Sequence, residues 1–196
     1  MKYEHSAIAQ WITPDSRVLD LGCGDGSLLS FLKQSRSVHG CGIEIDTSLI
    51  SGAIANGVDV LEKNIDEGLD VFGDNSFDTV VMTQTLQAIR FPDRALLEML
   101  RVGREGIVTF PNFAHWRCRW HLNFHGRMPV SEFMPYSWYD TPNIHFCTVK
   151  DFEDLCATLS IRILDREYRS EHNSFEPLVQ GMPNLFASHA IYRISL

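Results

Sequence analysis

A short apolar strand that ends in an acid and then breaks into glycines constrains this chain more than any other stretch. Residues 18–26 read Val-Leu-Asp-Leu-Gly-Cys-Gly-Asp-Gly. Gly22, Gly24 and Gly26 remove side chains where backbone must bend sharply or come close to a ligand. Ser27 to Lys33 has helical composition, so the loop offers the N–H groups of a helix start to whatever lies above it. The pattern points to a nucleotide-like ligand. A dinucleotide fingerprint needs G-x-G-x-x-G, and its third glycine position is here Ser27, which disfavours a nicotinamide-dependent oxidoreductase. Taken alone, the loop also admits a tight turn that binds nothing.

A second acidic signal weighs against the bare turn. Val38 to Ile45 is an apolar strand that closes on Gly42-Ile43-Glu44-Ile45-Asp46, a little over twenty residues beyond Asp20. An acid at the tip of the second strand of a βαβ unit accepts both hydroxyls of a ribose. Glu44 is the candidate, followed by Ile45, whereas Asp46 is placed to cap a helix starting near Thr47. The run D-L-G-C-G-D-G resembles motif I of class I S-adenosylmethionine (SAM) methyltransferases. That resemblance implies a loop, Asp20 with Gly22, Cys23, Gly24 and Gly26, wrapped around the amino-acid end of SAM or S-adenosylhomocysteine.

The remaining pattern alternates strand and helix signals. Strands are expected at 17–22, 38–45, 59–63, 77–82 and 105–110, with helices at 27–35, 47–56, 92–102 and 148–160. Residues 161–169 and 186–195 are β-rich and read as an antiparallel pair. The expected fold is α/β and Rossmann-like, with helices on both faces of a mostly parallel sheet. The terminal pair resembles the end of the seven-stranded class I methyltransferase sheet. At 196 residues, 44% of them hydrophobic, one domain spanning 1–196 is expected, with an insertion at about 111–147.

Ligands in such sheets sit at the carboxyl ends of the strands. Asp66, in Asn64-Ile65-Asp66, stands at the family's distance before Phe77-Asp78, which implies an adenine role, with Ile65 as a ring contact. After the fourth strand, Gln84 is expected to face cofactor or acceptor, with Gln87 slightly further out. Amides orient but do not act as bases at neutral pH. The (Asp/Asn)-Pro-Pro-(Tyr/Phe) box of many amide and nucleobase methyltransferases is replaced by Met82-Thr-Gln-Thr-Leu86.

Composition narrows the partners. A net charge of −8 argues against non-specific nucleic-acid binding. No run of eighteen apolar residues occurs, so no membrane span is expected, and the first residues lack a signal-peptide core. Five scattered cysteines without a C-x-x-C read as reduced thiols of a cytoplasmic protein.

The insertion carries three of the four tryptophans, and from Asn112 to Ser131 it holds no acid. On a helix, Phe113, Trp116, Trp120 and Phe124 form one stripe, expected chiefly to dock the segment onto the sheet, with a partner or substrate surface as the other reading. His115, Cys118, His121 and His125 match no standard zinc spacing and have no supporting carboxylate, so no metal is assigned. The runs P-N-F-x-H-W-x-x-R, G-R-M-P-V and P-Y-x-W-Y-D-T-P-N-I-H-x-C-T resemble the MetW family of methionine biosynthesis proteins. That resemblance implies a SAM-type domain working with a homoserine O-acyltransferase of the MetX type, and it leaves methyl transfer by the chain itself unestablished. The candidate substrate or partner contacts are Gln87, His115, Trp116, Arg119 and Tyr139. If the chain is a methyltransferase, Gln84, His115 and Tyr139 line its acceptor site.

Overall fold

The computed structural model describes residues 2–131, 133–170 and 176–196. Seven strands form one sheet: β1 (Arg17–Leu21), β2 (His39–Glu44), β3 (Asp59–Glu62), β4 (Phe77–Thr83), β5 (Gly103–Pro111), β6 (Arg162–Arg169) and β7 (His189–Ser195). Their order is β3-β2-β1-β4-β5-β7-β6. The first five are parallel, while β7 runs antiparallel to both β5 and β6, as the terminal β-rich pair suggested.

Strand alternation sends neighbouring side chains to opposite faces. Leu19, Val80, Met82, Val108, Phe110 and Tyr192 enter one core; Val18, Val81, Ile107 and Ile191 enter the other. Helices α4 (Pro92–Val102) and α6 (Val149–Thr158) cover the first face. The second is covered by α1 (Lys2–Trp11), α2 (Ser27–Arg36) and α3 (Thr47–Ala55). Phe110, Phe152 and Tyr192 close the larger core as a triangle of rings with centroids 4.7–5.9 Å apart.

Local signals account for most boundaries. Asp46 caps α3 by accepting from the Ser48 N–H at 2.9 Å, and the Thr148 hydroxyl caps α6 by accepting from Asp151 at 3.2 Å. Pro92 occupies the first turn of α4, where its missing N–H costs nothing. β5 begins at Gly103, two residues earlier than expected, because a Cβ there would lie 2.5 Å from Val80 and glycine lets helix pass into strand without a linker. The stretch before β7 is not strand from residue 186: α8 (Pro183–Phe186), preceded by α7 (Glu176–Gly181), occupies it.

The insertion folds differently from its pattern. Its helix α5 (Trp116–His125) starts after Phe113, and Cys118 is its one fully buried residue, packed on Phe133 and Met134. Trp120 and Phe124 are 59% and 61% exposed, so of the expected docking stripe only Phe113 and Trp116 are partly buried and its outer half faces water.

Candidate functional site

β1 and β4 are neighbours from which the chain crosses in opposite directions, and a crevice opens at the carboxyl ends of the strands there. The cleft has a volume of about 380 Å3, within the range of small-molecule sites. The glycine loop reaches it through Gly22. Gly22, Gly24 and Gly26 all adopt left-handed backbone, with φ of 75°, 55° and 71°. The N–H groups of Gly22 and Cys23 both bond the Ile43 carbonyl, at 2.8 and 3.0 Å, which ties the loop to β2. A Cβ on Gly22 would fall 2.5 Å from the Thr85 hydroxyl, and one on Gly26 3.0 Å from Ala53 and Val58. Gly24 is different: a Cβ there meets no atom within 4 Å. That glycine faces open space.

Two acids stand behind the loop. Glu44 accepts from the Gly24 N–H at 2.9 Å through one oxygen, and from the Ile45 and Asp46 N–H groups at 2.8 and 3.0 Å through the other. It thereby fixes the loop while lining the cleft. Asp20 is wholly buried, and neither of its oxygens has a hydrogen-bond partner among the described residues. Burial first, and the nearby Glu44 charge second, push its carboxyl up to about 7. An unpartnered buried carboxyl beside a second acid suits a cationic ligand group. Cys23 turns the other way. Its sulfur sits where a Cβ on Gly42 would be, at 2.3 Å, so only its backbone faces forward. Burial, with Asp20 and Glu44 adding to it, raises the thiol to about 12 and leaves it unreactive.

The walls mix apolar and polar side chains. Ile45, 60% exposed, stands with Leu49, Ile65 and Ile89 around the opening. Asp66 lines the same cleft, but its two oxygens accept from the Arg90 N–H at 3.0 and 3.1 Å, and one of them also from Phe91 at 3.1 Å. It therefore also anchors the entrance to α4. Gln84 lines the cleft from the tip of β4 in a left-handed conformation, φ 53°, which is uncommon for a side-chain-bearing residue. Its amide donates to Glu4 of α1 at 3.2 Å.

Other candidates fall elsewhere. Gln87 is not further out: it is buried, its amide donates to the Gln84 carbonyl at 2.8 Å, and its own carbonyl accepts from Ile144 and His145. His115 is a buried cap of α5 whose Nδ1 accepts from Arg117 at 3.4 Å. Burial, with Arg117 and His189 nearby, lowers its imidazole to about 4, and it does not line the cleft. Arg119 staples the segment, donating to the carbonyls of Ala114 at 2.6 Å and Asn184 at 3.4 Å. Trp116 is half-buried on the same helix, and Tyr139 lies outside the cleft, three-quarters exposed. The cleft lining contains no histidine, cysteine or tyrosine among the described residues.

Pattern reading missed Leu49 and Lys63, which are unremarkable in type, and Pro142 and Asn143, which come from the insertion. The Gln87 carbonyl pins the backbone just beyond them, at 2.9 and 3.0 Å from the Ile144 and His145 N–H groups, and so sets them on the rim. It also missed Asn112, whose fully buried amide bonds the Ala187 carbonyl at 2.8 Å and accepts from Ala114 at 3.1 Å.

A sequence model of the methionine biosynthesis protein MetW matches residues 2–194. The chain belongs to the MetW family. It is 36% identical, over 97% of its length, to the bifunctional methionine biosynthesis protein MetXA/MetW of Rhodopirellula baltica. The chain spans 32% of that relative, about a third of its length. Among solved structures, a SAM-dependent methyltransferase from Archaeoglobus fulgidus matches with TM-score 0.73 at 14% identity, covering 100% of this chain and 94% of that one. The cyclase SpnF matches with TM-score 0.69 at 19% identity, covering 98% and 80%. This MetW-family chain therefore has the class I SAM methyltransferase-like fold, a fold that the cyclase SpnF shares. No helix among the described residues is long and apolar enough to cross a membrane.

Proposed function

We propose that this MetW-family chain binds SAM, or S-adenosylhomocysteine, and serves as an accessory and regulatory partner of a homoserine O-acyltransferase of the MetX type in methionine biosynthesis. The observation that carries the ligand is the cleft lined by Gly22 and Glu44, with open space at neighbouring Gly24 and the orphaned Asp20 buried behind the loop. In this reading Glu44 accepts from the ribose hydroxyls, Asp20 answers the ligand's ammonium group, and Ile45 with Ile65 flanks the adenine. Asp66 accepts from the adenine amine through lone pairs left beside its Arg90 and Phe91 bonds. Gln84 orients the ligand from the tip of β4. Bound SAM would supply an activated methyl group on a sulfonium, or would act as the end product that reports on methionine supply.

The partner reading rests on the relative that joins MetXA and MetW in one chain. Fusion suits two activities that work side by side. The cytosol suits both, since the five cysteines carry no disulfide.

A second reading, an active methyltransferase on a small metabolite or protein side chain, draws on Gln84. Its left-handed backbone at the cleft is the kind of strain that clusters at functional sites. Methyl transfer needs in-line positioning more than an acid–base pair, so a cleft without histidine is compatible with it.

The test is co-purification of the chain with the acyltransferase, with acyl transfer assayed across a SAM titration and S-adenosylhomocysteine measured in parallel. The accessory reading expects a complex whose activity follows SAM, with no stoichiometric product. Turnover of SAM with cell metabolites or with the acyltransferase would favour the second reading. If SAM binds free chain and complex equally, linkage forbids it from regulating assembly.

A further inference from the structure

We infer that the acyltransferase docks on the exposed aromatic face of the insertion, and that it presents there an apolar patch rimmed by acids. This rests on the partner reading above. Trp120 and Phe124 of α5 lie against each other, centroids 4.1 Å apart, and Trp138 and Tyr139 of the following loop meet edge to face at 5.7 Å. The latter two are 73% and 75% exposed. Leaving four large rings in water forgoes the burial that such side chains normally obtain, and grouped exposure of this kind marks interaction surfaces.

The end of α5 and the second pair share one hollow. Gly126 ends α5 just beyond Phe124, and it lines with Arg127, Val130, Trp138 and Tyr139 an open hollow of about 560 Å3. Trp138 also lines an inner recess shared with Asn143, and Asn143 is on the rim of the ligand cleft. The face is thus continuous with the site whose occupancy the partner would read.

Charge selects the occupant. The chain carries −8 overall, yet from Asn112 to Phe146 its three arginines outnumber its two acids, Glu132 and Asp140, and no acid precedes Glu132. A partner with an acidic rim is attracted to this face and repelled by the rest. Aromatic residues with arginine are also the types enriched at the centres of protein interfaces. A second copy docked through the same face would set these arginines against their own counterparts, and so fits less well.

The experiment measures affinity of the full chain for the acyltransferase in wild type, Trp120→Ala/Phe124→Ala, Trp138→Ala/Tyr139→Ala and Arg127→Glu. SAM affinity, melting midpoint and sedimentation are recorded for each. Each variant is expected to bind the acyltransferase about tenfold or more weakly, with SAM affinity and midpoint at wild-type values. If wild type binds and every variant binds equally well, this face is not the interface while the partner reading stands. If wild type does not bind, both fall. A change confined to self-association assigns the face to a second copy and overturns the inference. Should a double variant lose its fold, Arg127→Glu decides, since reversing one exposed charge leaves the core untouched: weakened binding supports the face and unchanged binding refutes it.

Discussion

Replacing Gly24 by alanine separates what the loop does for the fold from what it does for a ligand. In the free protein the new methyl enters open space, since no atom lies within 4 Å of its position. The cost is the left-handed backbone of an L-residue, about 1–2 kcal/mol, less the roughly 0.4–1 kcal/mol returned by a stiffer unfolded chain. A net loss of about 1 kcal/mol lowers the melting midpoint by about 2–4 °C in a chain of this size. In the complex the same methyl occupies ligand space. Overpacking of that kind costs about 1–3 kcal/mol, or about 5- to 150-fold in Kd.

Thermal scans read both effects. SAM at a hundredfold excess over Kd stabilises wild type by about 2.7 kcal/mol, a rise of about 5–10 °C. At that concentration a variant weakened about fiftyfold retains under about 1 kcal/mol of the stabilisation. Calorimetric titration gives the Kd directly. A Gly24→Ala protein with the wild-type SAM shift and the wild-type Kd would refute the assignment of the open space to the ligand. Gly22→Ala is the contrast: its methyl meets the Thr85 hydroxyl at 2.5 Å, so it damages the free protein first.

Asp20 has a pH signature. Because its carboxyl is raised from 3.8 to about 7 in the fold, its contribution to stability is present at acid pH and is lost as pH climbs through that window. Urea midpoints of Asp20→Asn should therefore gain on wild type between those values and run parallel above them, while SAM affinity drops; a constant difference across the range would contradict the buried ionisation. Glu44→Gln removes a charged acceptor from the Gly24 N–H, and titration should find SAM weakened by about 1.5–3 kcal/mol. Asn112→Ala strips partners from buried carbonyl and N–H groups around the insertion, a loss of about 2–3 kcal/mol in denaturant unfolding, with SAM affinity unchanged.

How much of this was legible beforehand differs between the cleft and the insertion. Around the cleft, the information is local. A strand ending in Asp20, three glycines at alternate positions and an acid closing the next strand dictate a parallel unit with a loop at its tip. The structure shows the left-handed angles and the Glu44 bond that such a unit requires. Asp46 was likewise readable as a cap, because a cap and the N–H that donates to it lie within three residues.

The insertion resisted the same treatment. Its i, i+4 aromatics describe a helix face correctly, but periodicity reports which side chains share a face, never what lies opposite it. Here α5 rests on Phe133 and Met134 through Cys118 and turns Trp120 and Phe124 outward. His115, Arg119 and Gln87 looked like contacts for a substrate or partner, and in the fold they bond buried or neighbouring backbone groups, which their types did not announce. Pro142 and Asn143 reach the cleft because the Gln87 carbonyl holds the chain beside them, more than fifty residues away in sequence. Hydrogen bonds within a loop or helix start are written in neighbouring residues, and so the sheet and its glycine loop follow from pattern alone. Which aromatic faces water, and which distant residue borders the ligand, depends on segments that meet only when the whole chain has folded.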